Sequence, residues 1–211
     1  MHAGHLPKTI STTAVLAGTT PAVTVTTNTT EAIAQTGHVG PLTHRAFGFV
    51  DQVGYRTVVY KLPLDLATEY KYASGTNASS GRSGTFDQLY PAAHDKLGHV
   101  DLFAWKNVHN IRSMATLTVH KGWNTVLMYN NTWLASPTDG VYTTASKLIA
   151  RDVTGRSGRH VGQEVDVYTN YTLGGMSVGA GVGQFFPGGF LQKTTPGAHT
   201  RLVYLSTGYS F

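Results

Sequence analysis

The charges of this chain are few, and those most able to act on a solute fall at alternating positions. Asp65, Glu69 and Lys71 share one parity of a run whose other parity reads Leu62, Leu64, Leu66, Thr68, Tyr70 and Tyr72. Farther on, Arg112 joins Thr116, Thr118 and His120 against Ile111, Ala115, Leu117 and Val119. Glu164 and Asp166 join Tyr168 and Asn170 against Val161, Val165, Val167, Tyr171 and Leu173. Successive side chains of a strand point to opposite faces, so each charge shares a face with polar neighbours and opposes an aliphatic stripe. Charged groups on the wall of a passage set the sign of the solute admitted. Arg56 and Arg112 would be the best contacts for an anion, because guanidinium matches carboxylate geometry. The ordinary role of such groups is a wetted inner wall braced by salt bridges. The candidate pore-lining set is Arg56, Asp65, Glu69, Lys71, Arg112, Glu164 and Asp166.

Other chemistry finds less support. Asp87, His94, Asp95, His99 and Asp101 are ligand types for a metal ion, but their spacing matches no zinc pattern. They are expected to pack and hydrogen-bond within a loop, and no metal or cofactor is assigned. Asp101 and His109 are near each other in sequence, yet no spacing ties them to a serine, so no catalytic residue is assigned and the chain is not expected to be an enzyme. Phe86, Leu89, Tyr90 and Pro91 suggest a loop that folds against the strands, inward over a passage.

The elements that would carry these groups are strands. Of 211 residues only 13% are charged, Gly numbers 24, Tyr 11 and Phe 8, and there is no Cys. No apolar run is long enough for a transmembrane helix, which needs about 20 residues. Alternating strands average to a near-neutral hydropathy, as membrane barrels do. Lys and Arg are scattered rather than clustered, which excludes a nucleic-acid binder. Strands are predicted over 46–58, 62–73, 111–120, 123–135, 160–173, 176–186 and from about Thr200 onward. Residues 147–151 could add a short strand or a helical turn. The runs match the roughly 9–11 residues of a tilted transmembrane strand.

Short turns at Tyr60-Lys61, Lys121-Gly122 and Gly174-Gly175 alternate with long connections over 74–110, 136–159 and 187–199. Short turns on one side and long loops on the other are a signature of outer-membrane barrels. The last run alternates through Val203, Leu205, Thr207 and Tyr209 to Phe211, a closing strand with its aromatics at the interface. Trp123, Tyr129, Trp133, Tyr171 and Tyr209 fit aromatic girdles at both interfaces. Residues 1–45 read as a weakly structured segment in which Val23, Val25 and a threonine run could add one strand, and 46–211 as the barrel strands. His2, His5 and Lys8 lead into threonine-rich text rather than a signal peptide.

Three stretches carry a family resemblance: EYKYASG (Glu69 to Gly75), TFDQLYPAAHDKLGHVDLFAWKN (Thr85 to Asn107) and GVGQFFPGGFL (Gly181 to Leu191). Together they resemble the alginate-export family of bacterial outer-membrane porins, over about Ala46 to Phe211. The resemblance implies a wide single-chain barrel of the eighteen-stranded type and passive passage of polar, often anionic solutes. Against that family this chain looks like only the C-terminal portion of such a barrel and shows no signal peptide, as expected of an N-terminally truncated product. The expectation is therefore an all-β, antiparallel transmembrane β-barrel in the bacterial outer membrane: a channel for polar solutes, anionic polysaccharides among them. Its expected partners are outer-membrane lipid and lipopolysaccharide, the polar solute, and the barrel-assembly machinery through Tyr209 and Phe211. The alternatives are a soluble, lipocalin-like ligand-binding barrel and an outer-membrane barrel hydrolase.

Overall fold

A computed structural model describes residues 10–15, 25–89 and 97–210, with side chains from residue 27 onward. Val23, Tyr90, Pro91, His94, Asp95 and Phe211 lie outside the described residues. Among the described residues nine strands form one sheet in which every neighbouring pair is antiparallel. These are β1 (Ile10–Val15), β2 (Val25–Val39), β3 (Leu42–Val59), β4 (Leu62–Ala73), β5 (Val108–His120) and β6 (Trp123–Leu134), then β9 (His160–Leu173), β10 (Met176–Pro187) and β11 (Thr200–Tyr209). β7 (Gly140–Tyr142) and β8 (Leu148–Arg151) pair with each other in the loop between β6 and β9. One helix, α1 (Gly189–Thr194), interrupts the loop before β11. Strand order follows chain order, and the sheet is open: among the described residues β1 and β11 are its two edges.

The all-β antiparallel architecture agrees with the sequence. The predicted bounds of the strands at 62–73 and 160–173 coincide with β4 and β9. Two runs start earlier than predicted, at Leu42 and Val108. Residues 147–151 supply β8, a strand rather than a helical turn. Within 1–45 the structure has β1, β2 and the first residues of β3.

Cross-strand register defines two faces. One carries Val53, Leu66, Ile111, Leu127, Tyr129, Val165, Val167, Val178, Val182, Val203 and Leu205, all exposed; Leu205 is 84% exposed. The other carries Glu69, Lys71, Asn110, Arg112, Asn130, Thr132, Glu164 and Asp166, all buried. In a water-soluble protein the large apolar residues are those most often buried, and here the polarity runs the other way.

The apolar core lies at the long-loop end, on the polar face. Phe86, Leu97, Phe103, Val108, Leu134, Val141, Val161, Phe185 and Phe190 pack there. It is built largely from the loops, which fold back onto the sheet. Phe86 meets Trp105 at 5.0 Å and Phe103 meets Phe185 at 5.2 Å. α1 adds Phe190 and Leu191 to this cluster, and Gly188 N–H donates to Val161 at 2.7 Å.

At the loop end of the outward face, aromatic and histidine rings meet from strand to strand. Phe47 stacks on Tyr72 at 5.0 Å, Tyr70 meets His109 at 6.2 Å, His109 stacks on Trp133 at 5.3 Å, and Trp133 meets His160 at 5.8 Å. At the turn end Trp123 meets Tyr171 at 6.4 Å. Tyr209 is the last residue of β11.

Candidate functional site

The inner face divides into a covered belt at the loop end and an open belt at the turn end. Residues 74–89 and 97–107 of the loop after β4 make the cover. Gln35 on β2 holds it at one side, donating to the Asp87 carbonyl at 2.5 Å and accepting from Asp87 N–H at 2.9 Å. At the other side Val100 N–H donates to Glu164 on β9 at 2.8 Å. His99 lies against Tyr168 at 4.3 Å and stacks parallel to Tyr204 at 5.8 Å. Gly181 of β10 leaves space for Tyr168 and Tyr204, and Gly183 for Asp166 and Val100.

Five of the seven candidate residues belong to the covered belt. Glu69 pairs in register with Arg112, which sits beside Asn130 and, next in the row, Glu164. Glu69 forms an ion pair with Lys71 Nζ at 2.7 Å and accepts a hydrogen bond from Arg112 Nη2 at 3.1 Å. Lys71 is 3% exposed, Glu164 2% and Asp166 1%. These groups tie neighbouring strands together on the polar face and hold the loop against it. The remaining two, Arg56 and Asp65, are exposed at the turn end. They form a bidentate ion pair beside a cavity of about 310 Å³ lined also by Thr27 and Gln52. Exposed pairs of this kind contribute little to stability.

A second cluster ties the loops to each other. Asp139, buried in the loop after β6, accepts four hydrogen bonds: from Thr76 N–H at 2.7 Å, Thr85 Oγ1 at 2.5 Å, Gly140 N–H at 2.7 Å and the Tyr142 hydroxyl at 2.6 Å. Burial, and then the bond to Asp139, push the Tyr142 phenol well above its usual range. Asn107 stands beside it, donating to Ser136 at 3.1 Å and Gly140 at 2.9 Å and accepting from Ser136 N–H at 2.7 Å. Gly75 makes this possible, because any Cβ there would run into the Asn107 side chain. The sequence did not single out Asp139, and it marked Asn107 only as the last residue of a stretch carrying the family resemblance, with no role assigned. The available signal was weak: an Asp-Gly pair in a long connection, read there only as loop.

Asp152 organises the outermost turn. Thr154 Oγ1 donates to it at 2.6 Å, Ser157 N–H at 2.8 Å and Thr154 N–H at 2.9 Å. These bonds hold its carboxyl well below the usual range, the Thr154 hydroxyl contributing most. The folded value is depressed, so its contribution to the turn is complete above the ordinary carboxylate range. It is lost only as pH falls through the depressed value. Asp152→Ala is expected to raise the rate of trypsin cleavage at Arg156 severalfold at neutral pH while leaving the sheet intact; an unchanged rate would mean the turn does not depend on these bonds.

Among the described residues no group of three or more His, Asp or Glu is placed to hold a metal ion. Gly175-Met176-Ser177-Val178-Gly179 has the spacing of a hydrolase nucleophile elbow, which the sequence reading passed over. The elbow needs a sharp strand-to-helix turn, and Ser177 instead lies within the β10 hairpin strand, its hydroxyl directed to the Gly208 carbonyl at 3.4 Å. His109 is committed to the outward aromatic row.

A family model described as alginate export matches residues 12–205. The chain belongs to the alginate-export family. That family is one of outer-membrane β-barrel porins that transport solute, and the all-β architecture here is consistent with it. No curated protein matches the sequence.

Proposed function

We propose that the nine-stranded sheet is part of the wall of an outer-membrane barrel, its apolar face on lipid and its polar face on a passage for polar solutes. The observation that carries this reading is the reversed polarity of the sheet: an aliphatic stripe exposed from Val53 to Leu205 and charges buried opposite it. A bilayer makes that arrangement favourable, because lipid-facing and lumen-facing residues alternate along each strand. The two aromatic rows at opposite strand ends match the girdles that sit at lipid headgroups. A soluble, lipocalin-like barrel would instead bury Leu64, Leu117 and Val165 in a dry centre; Val165 is exposed, and the half-buried Leu64 and Leu117 share its face. A hydrolase has no support from the placement of Ser177 or His109, nor from a family that transports.

Passage in this reading involves no chemistry. The open belt offers hydroxyls and amides from Thr27, Thr29, Gln52, Thr116, Asn124 and Asn170, with Arg56 as its contact for an anion. Such a wall suits polar, sugar-like solutes, anionic ones included. The free edges of β1 and β11 meet further strands of a larger barrel.

Two measurements test this. In vesicles whose acyl chains carry bromine, Trp123 and Trp133 fluorescence is expected to be quenched, with little further quenching by aqueous iodide. In planar bilayers the protein is expected to give conductance steps that scale with bulk conductivity. Tryptophans open to iodide and indifferent to bromolipid would sink the lipid-facing assignment; incorporation without conductance would sink the passage.

A further inference from the structure

Where β4 ends, β3 runs on paired only with β2, and a loop segment takes the vacated place on its other side. Ser74 N–H donates to Phe47 O at 2.9 Å, which is the last tie to β4. Beyond it Arg45 N–H donates to Ser83 O at 3.0 Å and Ser83 N–H to Thr43 O at 3.0 Å, so 82–84 runs as a short parallel neighbour of β3. His44 Nδ1 and Ser83 Oγ meet at 2.9 Å on the inner side. Side chains alternate, so Arg82 and Arg45 both project to the outer side. Between them lies a cavity of about 410 Å³, lined by Arg45, Arg82, Phe47, Tyr72, Asn77 and Ser80 among others.

Three properties define what fits there. Both arginines are exposed, and neither is engaged in an ion pair among the described residues. Two guanidiniums on one cavity match a phosphate, which each can bind with paired N–H donors. The stacked Phe47 and Tyr72 rings provide an apolar wall for the face of a sugar ring, and Asn77 and Ser80 provide groups for its hydroxyls. The volume falls in the range of small-ligand sites, about 300–1,000 Å³. The cavity opens on the outward face, where a solute crossing the interior does not pass. It also lies level with the loop-end aromatic row, which the proposed function places at the lipid headgroups.

We propose that this outer-wall cavity binds the phosphorylated sugar headgroup of an outer-leaflet lipid, with Arg45 and Arg82 on the phosphate and Phe47 and Tyr72 against the sugar. The proposal rests on the membrane orientation argued above. It gives the barrel a specific lipid contact at the point where its sheet is least regular.

The test uses the full chain, purified in detergent, with native mass spectrometry to count bound lipid A. Diphosphorylated lipid A is the probe, and its dephosphorylated form and a soluble oligouronate are the controls. The intact protein is expected to bind diphosphorylated lipid A about tenfold or more tightly than the R45S/R82S variant does, as expected for losing two charge-assisted contacts. The dephosphorylated lipid is expected to bind both proteins equally and weakly. R45K/R82K is expected to fall between, because lysine keeps the charge and loses the paired geometry. Circular dichroism and vesicle incorporation establish that the variants fold.

Equal affinity of the intact and R45S/R82S proteins, with incorporation into vesicles preserved, overturns this inference and leaves the membrane reading standing. Oligouronate displacing lipid A from the intact protein overturns it in favour of a soluble acidic sugar. A protein that does not enter vesicles at all overturns both.

Discussion

Asp139→Ala is expected to destabilise the protein by about 4 kcal/mol, since each buried donor left without a partner costs about 1–3 kcal/mol. Two of the four donors to this carboxylate are backbone N–H groups, of Thr76 and Gly140, and neither can turn elsewhere. The Thr85 hydroxyl and the Tyr142 phenol lose their acceptor as well. The contacts span the loop after β4 and the loop after β6, so the loss is not local. Both loops carry core residues, Phe86 and Val141 among them, and the cover over the inner wall loosens with them. Urea unfolding in lipid vesicles measures the effect. Asp139→Asn keeps one acceptor oxygen and is expected to cost about half as much. A loss below about 1 kcal/mol, the scale of a single ordinary hydrogen bond, would show that the two loops hold together without this carboxylate.

Gly98→Ala is expected to lift the cover. Gly98 has φ +114°, a conformation that a side-chain-bearing residue rarely adopts, and a Cβ there would run into the Glu164 carboxylate. The cost of holding alanine in place is about 1–3 kcal/mol from the backbone alone, and the steric clash adds to it. The cheapest response is for residues 97–104 to leave the inner wall, breaking the Val100 bond to Glu164. Glu164, Asp166 and Arg112 would then face the passage. Single-channel conductance is expected to rise severalfold, and trypsin is expected to reach Lys106, which is now held near Asp87 at 3.6 Å. Unchanged conductance together with unchanged cleavage would mean the loop does not restrict the passage.

How much of this the sequence revealed depends on the kind of signal each residue gives. β4 and β9 were legible to the residue because apolar side chains recur on one parity and charges on the other, with turn residues at both ends; Val161 departs from that stripe, since the register shifts beside it and it is buried in the core. That Glu69, Lys71, Arg112, Glu164 and Asp166 share one face of the sheet was legible for the same reason. Their burial was not: a period of two reports the face a side chain points to and says nothing about a loop lying over it. β2 gave little because its outward positions include Asn28, Thr30, Ala32 and Thr36, with no apolar stripe to find. Its place is set by pairing with β3, and Thr30 donates to Asp51 across that pair at 2.5 Å. α1 is six residues between glycines and a proline-containing turn, too short for a helical period to register. Asp139 and Asn107 take partners as far as 63 residues away, a relation that no local spacing contains.

The count of strands also restricts how a ring could be completed. Eight successive antiparallel pairings leave β1 and β11 pointing the same way. Joining these two edges directly, or alternating whole copies of the sheet about a shared axis normal to the bilayer, would put like-directed strands side by side at each seam. An uninterrupted up-and-down circuit instead requires an odd number of intervening strands.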